Sequence, residues 1–108
     1  MFSQGGGIYK VTGTFVLGGS ATGTFYTFAN SATNQVYFVT VRQQGAGINN
    51  VTGMCFAYGT TLTAYNLGQD NTNPVLYLTL GTSGTDLRLT TGSGYSSTTW
   101  EYTITIIK

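Results

Sequence analysis

The nine residues Gln35-Val36-Tyr37-Phe38-Val39-Thr40-Val41-Arg42-Gln43 carry β-branched and aromatic side chains at both odd and even positions. Such residues suit a pleated, packed surface. In an extended chain Val36, Phe38 and Thr40 fall on one side, and Tyr37, Val39 and Val41 on the other. A run that is apolar on both sides predicts a central strand covered on each face.

Upstream, residues 8–17 alternate in the same way. Tyr9, Val11, Phe15 and Leu17 share one face, while Lys10, Thr12 and Thr14 share the other, the period of a half-buried strand. After a Gly-Gly-Ser turn, residues 22–29 bring Phe25, Tyr26 and Phe28. Downstream, residues 51–58 and 60–66 flank Gly59 and read as one hairpin or one bent strand. Residues 67–73 read as a turn closing at Pro74, the single proline. Strands over 75–80, 85–90 and 99–107 bring the expected total to about eight. Gly and Thr are too dense for a long helix, and no window keeps apolar residues three and four apart. The fold class is all-β. An antiparallel sandwich of jelly-roll or Greek-key type is favoured over a small closed barrel. Residues 1–7 read as a flexible glycine-rich lead-in, and 8–108 as a single domain. Val11-Thr-Gly-Thr-Phe15 echoes in Ala21-Thr-Gly-Thr-Phe25 and Val51-Thr-Gly-Met-Cys-Phe56. The echo does not persist through the chain, so it reads as β composition and not as a repeat.

Composition narrows the chemistry. Charged residues make up 6% of the 108 positions, against about 25% in ordinary domains, and there is no His. In their place stand 21 Thr and 16 Gly. General acid–base catalysis draws on His or paired carboxylates, and Asp70, Asp86 and Glu101 are far apart in sequence. The expectation is a protein that is not an enzyme. One cysteine, Cys55, and no His exclude a zinc site. Cys55 sits in an apolar run and reads as a core residue. The loop from Gly68 to Asn73 holds one carboxylate, too little charge for calcium. No cofactor and no metal are expected. A formal net charge of +1 gives no pull towards nucleic acid. No apolar stretch approaches the roughly 20 residues of a membrane span, and residues 1–7 lack the blocks of an export signal.

Binding is the capability that remains. Aromatic faces and amide or hydroxyl groups together recognise sugars. Tyr95, set among Gly and Ser in the segment 91–100, is a candidate ligand contact, as is Trp100, which also reads as core or subunit contact. Asn71 and Asn73 add amides. Asp86 stands two residues before Arg88, on the same face and within ion-pair reach.

Edge strands usually carry Lys, Pro or bulges that stop them pairing with other chains, and such devices are scarce in this sequence. Near-zero net charge adds little repulsion between copies. Homo-oligomerisation is the expected way of covering the apolar strands.

The chain resembles the C-terminal tip or head domains of bacteriophage tail fibres. The similarity lies in the lead-in Gly5–Gly7, the Thr/Gly/Tyr-rich strands and the ending Tyr102-Thr103-Ile104-Thr105-Ile106-Ile107-Lys108. That resemblance implies a β-sandwich that trimerises at the end of a stalk and contacts host surface carbohydrate. It also implies a place on the virion, reached through the host cytoplasm during assembly, beside other virion subunits. A capsid or tail decoration protein is a related reading. From a different class comes a carbohydrate-binding module or lectin-like domain of a cellular protein, expected to be a monomer with an aromatic platform.

Overall fold

The computed structural model describes residues 8–28, 35–45, 49–58, 61–70 and 76–107. They form eight strands: β1 (Ile8–Leu17), β2 (Thr22–Thr27), β3 (Gln35–Gln43), β4 (Asn50–Tyr58), β5 (Thr61–Asp70), β6 (Leu78–Ser83), β7 (Asp86–Thr91) and β8 (Thr98–Ile107). Two antiparallel sheets result, one of five strands in the order β1-β8-β3-β4-β5 and one of three in the order β2-β7-β6. They pack as a sandwich. No helix of the described residues is long and apolar enough to cross a membrane. The lead-in over residues 1–7 lies outside the described residues.

Alternation does the sorting. On β7, Leu87, Leu89 and Thr91 are buried while Asp86, Arg88 and Thr90 are half-buried on the opposite side. From the five-stranded sheet Tyr37, Val39, Val41, Val51, Cys55, Trp100 and Ile104 point inward. They meet Phe25, Leu78, Leu80, Leu87 and Leu89 of the other sheet. Along the flank between β1 and β2 the core continues as packed rings: Phe15 stacks on Phe25 at 4.9 Å, and Phe28 lies 4.0 Å from Tyr37. Gly13 is a glycine for want of room: a Cβ there would stand 2.5 Å from the Tyr102 hydroxyl. Gly23 and Gly53, at the same place in the echoed segments, are crowded by the side chains of Leu17 and Leu80. The echo thus marks three strands where a large neighbour crosses close to backbone.

The expected central strand is central, since β3 lies in the middle of five, but it is not covered on both sides. Phe38 is 37% exposed, Thr40 is exposed and Val36 half-buried. A three-stranded sheet covers one face of the larger one, and among the described residues nothing covers the other. Residues 51–58 and 61–70 form a hairpin, and the turn expected from Leu67 is instead strand as far as Asp70. Turn-type residues are overruled there by pairing of Thr52 with Gly68 and Asn50 with Asp70.

Edges are also better protected than composition suggests. The β4–β5 register shifts between Thr52 and Gly53, so Leu67 is an extra residue, and β2 carries a second shift between Thr24 and Tyr26. Bulges of this kind bend an edge away from foreign strands. Side-chain amides of β5 occupy backbone groups of β6: Leu80 N donates to Asn66 Oδ1 (2.8 Å), Asn66 Nδ2 donates to Leu80 O (3.1 Å), and Leu78 N donates to Gln69 Oε1 (2.8 Å). At the opposite corner the hydroxyl of buried Thr91 donates to Gly18 O at 2.5 Å. Ser20 N donates to Gly92 O at 3.0 Å in the same corner.

Candidate functional site

Residues opposite each other in an antiparallel ladder share a face, so register lays out the uncovered side of the five-stranded sheet row by row. Thr12, Thr103, Thr40 and Thr52 stand side by side across β1, β8, β3 and β4. Strands lie about 4.8 Å apart, so the four hydroxyls run in a line about 14 Å long. On one side of this line the row is charged and polar: Thr14, Glu101, Arg42, Asn50 and Asp70. On the other side stand first Lys10, Thr105, Phe38, Met54 and Tyr65, then Ile8, Ile107, Val36, Phe56 and Thr63. The face is therefore apolar at one end and hydrophilic at the other.

At the apolar end Phe56 (40% exposed) and Tyr65 (55% exposed) meet edge to face at 5.7 Å. At the polar end Arg42 Nε donates to Glu101 Oε1 at 2.9 Å and Gln44 Nε2 donates to Glu101 Oε2 at 3.1 Å. These two bonds, with the Arg42 charge, hold the Glu101 carboxyl below its ordinary pKa. Beside it a shallow open depression of about 310 Å³ is lined by Thr12, Gly13, Thr14, Glu101, Tyr102 and Thr103. Hydroxyls, a fixed carboxylate and a guanidinium can share hydrogen bonds with a polyol. Hydrolysis of a glycosidic bond uses two carboxyl groups about 5–9.5 Å apart. Glu101 on β8 and Asp70 on β5 are separated by two intervening strands, about 14 Å at ordinary spacing.

The sequence-predicted contacts fall elsewhere. Tyr95 is 7% exposed, its ring edge-on to Trp100 at 4.9 Å and its hydroxyl donating to Leu76 O at 2.6 Å. Burial pushes that phenol up to about 12. Trp100 is fully buried, with Nε1 donating to Leu17 O at 3.1 Å. Both are interior residues in this structure, a correction to their reading as ligand contacts. The segment after β7 folds back over the sandwich and finds a backbone carbonyl for the hydroxyl. Asn71 and Asn73 lie outside the described residues. Asp86 does not pair with Arg88 among the described residues, and instead accepts a hydrogen bond from Thr27 Oγ1 at 2.7 Å. Sequence reasoning missed the threonine row. Thr12 was legible as lying opposite the apolar face of its strand, but Thr40 shared a face expected to be covered, and the row exists only once β8 is inserted between β1 and β3.

No protein-family model matches the sequence, and a search of curated proteins by sequence finds no match. In fold the chain is similar to part of the tailspike protein gp49 from Acinetobacter baumannii bacteriophage Fri1, a capsular polysaccharide depolymerase. The TM-score is 0.63 at 15% identity, over 94% of this chain and 18% of that one. The tailspike protein of Acinetobacter phage vB_ApiP_P1 aligns with a TM-score of 0.47 at 10% identity, over 100% of this chain and 23% of that one. The chain thus spans less than a quarter of the length of either tailspike.

Proposed function

We propose that this sandwich is a self-associating, non-catalytic module of a phage tail protein, carried on the virion and contacting host surface glycans. The uncovered face of the five-stranded sheet is its working surface. The observation that carries the reading is the division of that face. The end built from Ile8, Ile107, Phe38, Phe56 and Tyr65 is the contact between copies, a trimer being the favoured assembly. The threonine row and the Arg42–Glu101–Gln44 cluster hold sugar hydroxyls. Fold likeness to a segment of a tailspike described as a capsular polysaccharide depolymerase supports this choice of setting. With Tyr95 and Trp100 both interior, neither aromatic serves this surface, and the sugar contacts are assigned to the outer face of the five-stranded sheet instead.

Two measurements test the proposal. Light scattering after size-exclusion chromatography should give about three times the 11.5 kDa chain mass. Phe38→Lys should reduce it to a monomer that keeps its β circular-dichroism spectrum and cooperative unfolding, because Phe38 lies outside the core. On a glycan array the wild type should bind, and the near-isosteric pair Thr40→Val and Thr103→Val should abolish the signal. A monomeric wild type sinks the assembly half, and an array signal untouched by the double substitution sinks the binding half.

A further inference from the structure

The opposite outer face of the sandwich, on the three-stranded sheet, holds an arginine with no ion-pair partner among the described residues. Arg88 sits mid-strand on β7, directly across from Thr24 on β2 and Gly81 on β6. Its Nε is shielded from solvent and has no hydrogen-bond partner. The nearest acid along the strand, Asp86, is engaged by Thr27, and no ion pair reaches Arg88 among the described residues. An unpaired buried N–H of a charged group is costly, and native proteins seldom leave one without a reason. Apart from Gly81 and Asp86, the neighbouring positions on this face carry small hydroxyl side chains. Thr22 and Thr90 share a hydrogen bond of 2.8 Å, and Thr24, Thr79 and Ser83 are exposed.

Gly81 is the second, independent observation. At Gly13, Gly23 and Gly53 a Cβ has no room, but at Gly81 it would meet nothing within 4 Å. Packing therefore does not require glycine there, and glycine weakens a strand interior. Its effect is to leave bare backbone beside the guanidinium, in register with it. A planar group can lie there and be gripped from the side.

We infer that Arg88, the open floor at Gly81 and the ring of hydroxyls around them form a binding site for the carboxylate of an acidic sugar. The guanidinium fork matches the two oxygens of a carboxylate. Hydroxyls of Thr24, Thr79 and Ser83 suit the sugar's own. Asp86 lies one alternate position from Arg88 on the same strand and repels a doubly charged anion more than a singly charged one, so a carboxylate fits better than a phosphate. This inference rests on the glycan-binding reading for the setting, but uses a different face and different residues.

The test is titration of the protein with trigalacturonic acid, followed by calorimetry and by the NMR signal of Arg88 Nε–Hε. Maltotriose, sodium acetate and inorganic phosphate are the controls at matched ionic strength. Trigalacturonic acid should move the Arg88 signal, and its affinity should fall at least tenfold in Arg88→Gln and in Gly81→Val. The valine enters open space and suits a strand, so an unchanged melting temperature separates blockage from misfolding. Unaltered affinity in Arg88→Gln, equal displacement by acetate or phosphate, or no binding overturns the site. Thr40→Val with Thr103→Val should leave the response of the Arg88 Nε–Hε signal to trigalacturonic acid unchanged, so the two glycan surfaces fail separately.

Discussion

Cys55 is enclosed on β4 among the inward side chains, and burial pushes its thiol from 9.0 up to about 11. The shift has a definite sign. Between those two values the unfolded chain sheds a proton that the folded chain keeps, so stability falls as pH rises through that window. Urea titrations from pH 8 to 11 should show this decline, with a shallower slope in Cys55→Ala. At pH 8 the native thiol should resist a disulfide reagent and react at once in denaturant. Tyr95 and Trp100 set a second residue-scale expectation. Tyr95→Phe removes the bond to Leu76 O and should cost about 1 kcal/mol. Trp100→Ala empties the largest fully buried position and should cost about 3–5 kcal/mol. If denaturant midpoints in the two variants matched, the assignment of Trp100 to the core would be wrong.

Among the elements, β5 shows how one inserted residue changes what a strand can do. In an uninterrupted strand, Asn66 and Gln69 would point to opposite faces, being three apart. The bulge at Leu67 resets the alternation, and both amides then reach β6, meeting Leu80 and Leu78 two residues apart. Two side chains thus imitate a neighbouring strand and occupy the edge of the smaller sheet. Asn66→Ala should cost about 1–2 kcal/mol, since it strips a donor and an acceptor from a nearly buried backbone segment. Hydrogen exchange at the Leu80 amide should rise more than at amides of β3. Gly53 belongs to the same device: an added Cβ would stand 2.7 Å from Tyr65 O, which as backbone cannot swing aside. The sequence showed Gly68, Asp70 and Asn71 as turn material and gave no sign of the bulge. A register shift depends on what lies across the ladder.

For the whole molecule, the two-layer build is the governing fact. With one sheet packed on its inner side, the five-stranded sheet keeps a broad outer face that no other described residue covers, and the chain fills it with an apolar end and a hydroxyl-rich end. The self-association proposed for the apolar end should survive high salt, because screening weakens ion pairs and leaves apolar burial intact. Sedimentation in 0.1 and 1 M NaCl should give the same mass. Dissociation at high salt would instead place the contact at the Arg42–Glu101 end.

Strand number, the antiparallel sandwich, the two faces of β1 and the burial of Cys55 followed from alternation and composition alone. These are local properties, fixed by which side chains an extended segment turns each way. Strand adjacency was a different matter. That β8 separates β1 from β3, that four threonines align, and that Arg88 faces bare Gly81 are relations between residues distant in the chain. The folding back of Tyr95 is of the same kind, because a lone aromatic among Gly and Ser looks identical whether a carbonyl awaits it or solvent does. Only packing, which must find a partner for each buried polar atom and a cover for each apolar face, decides between them.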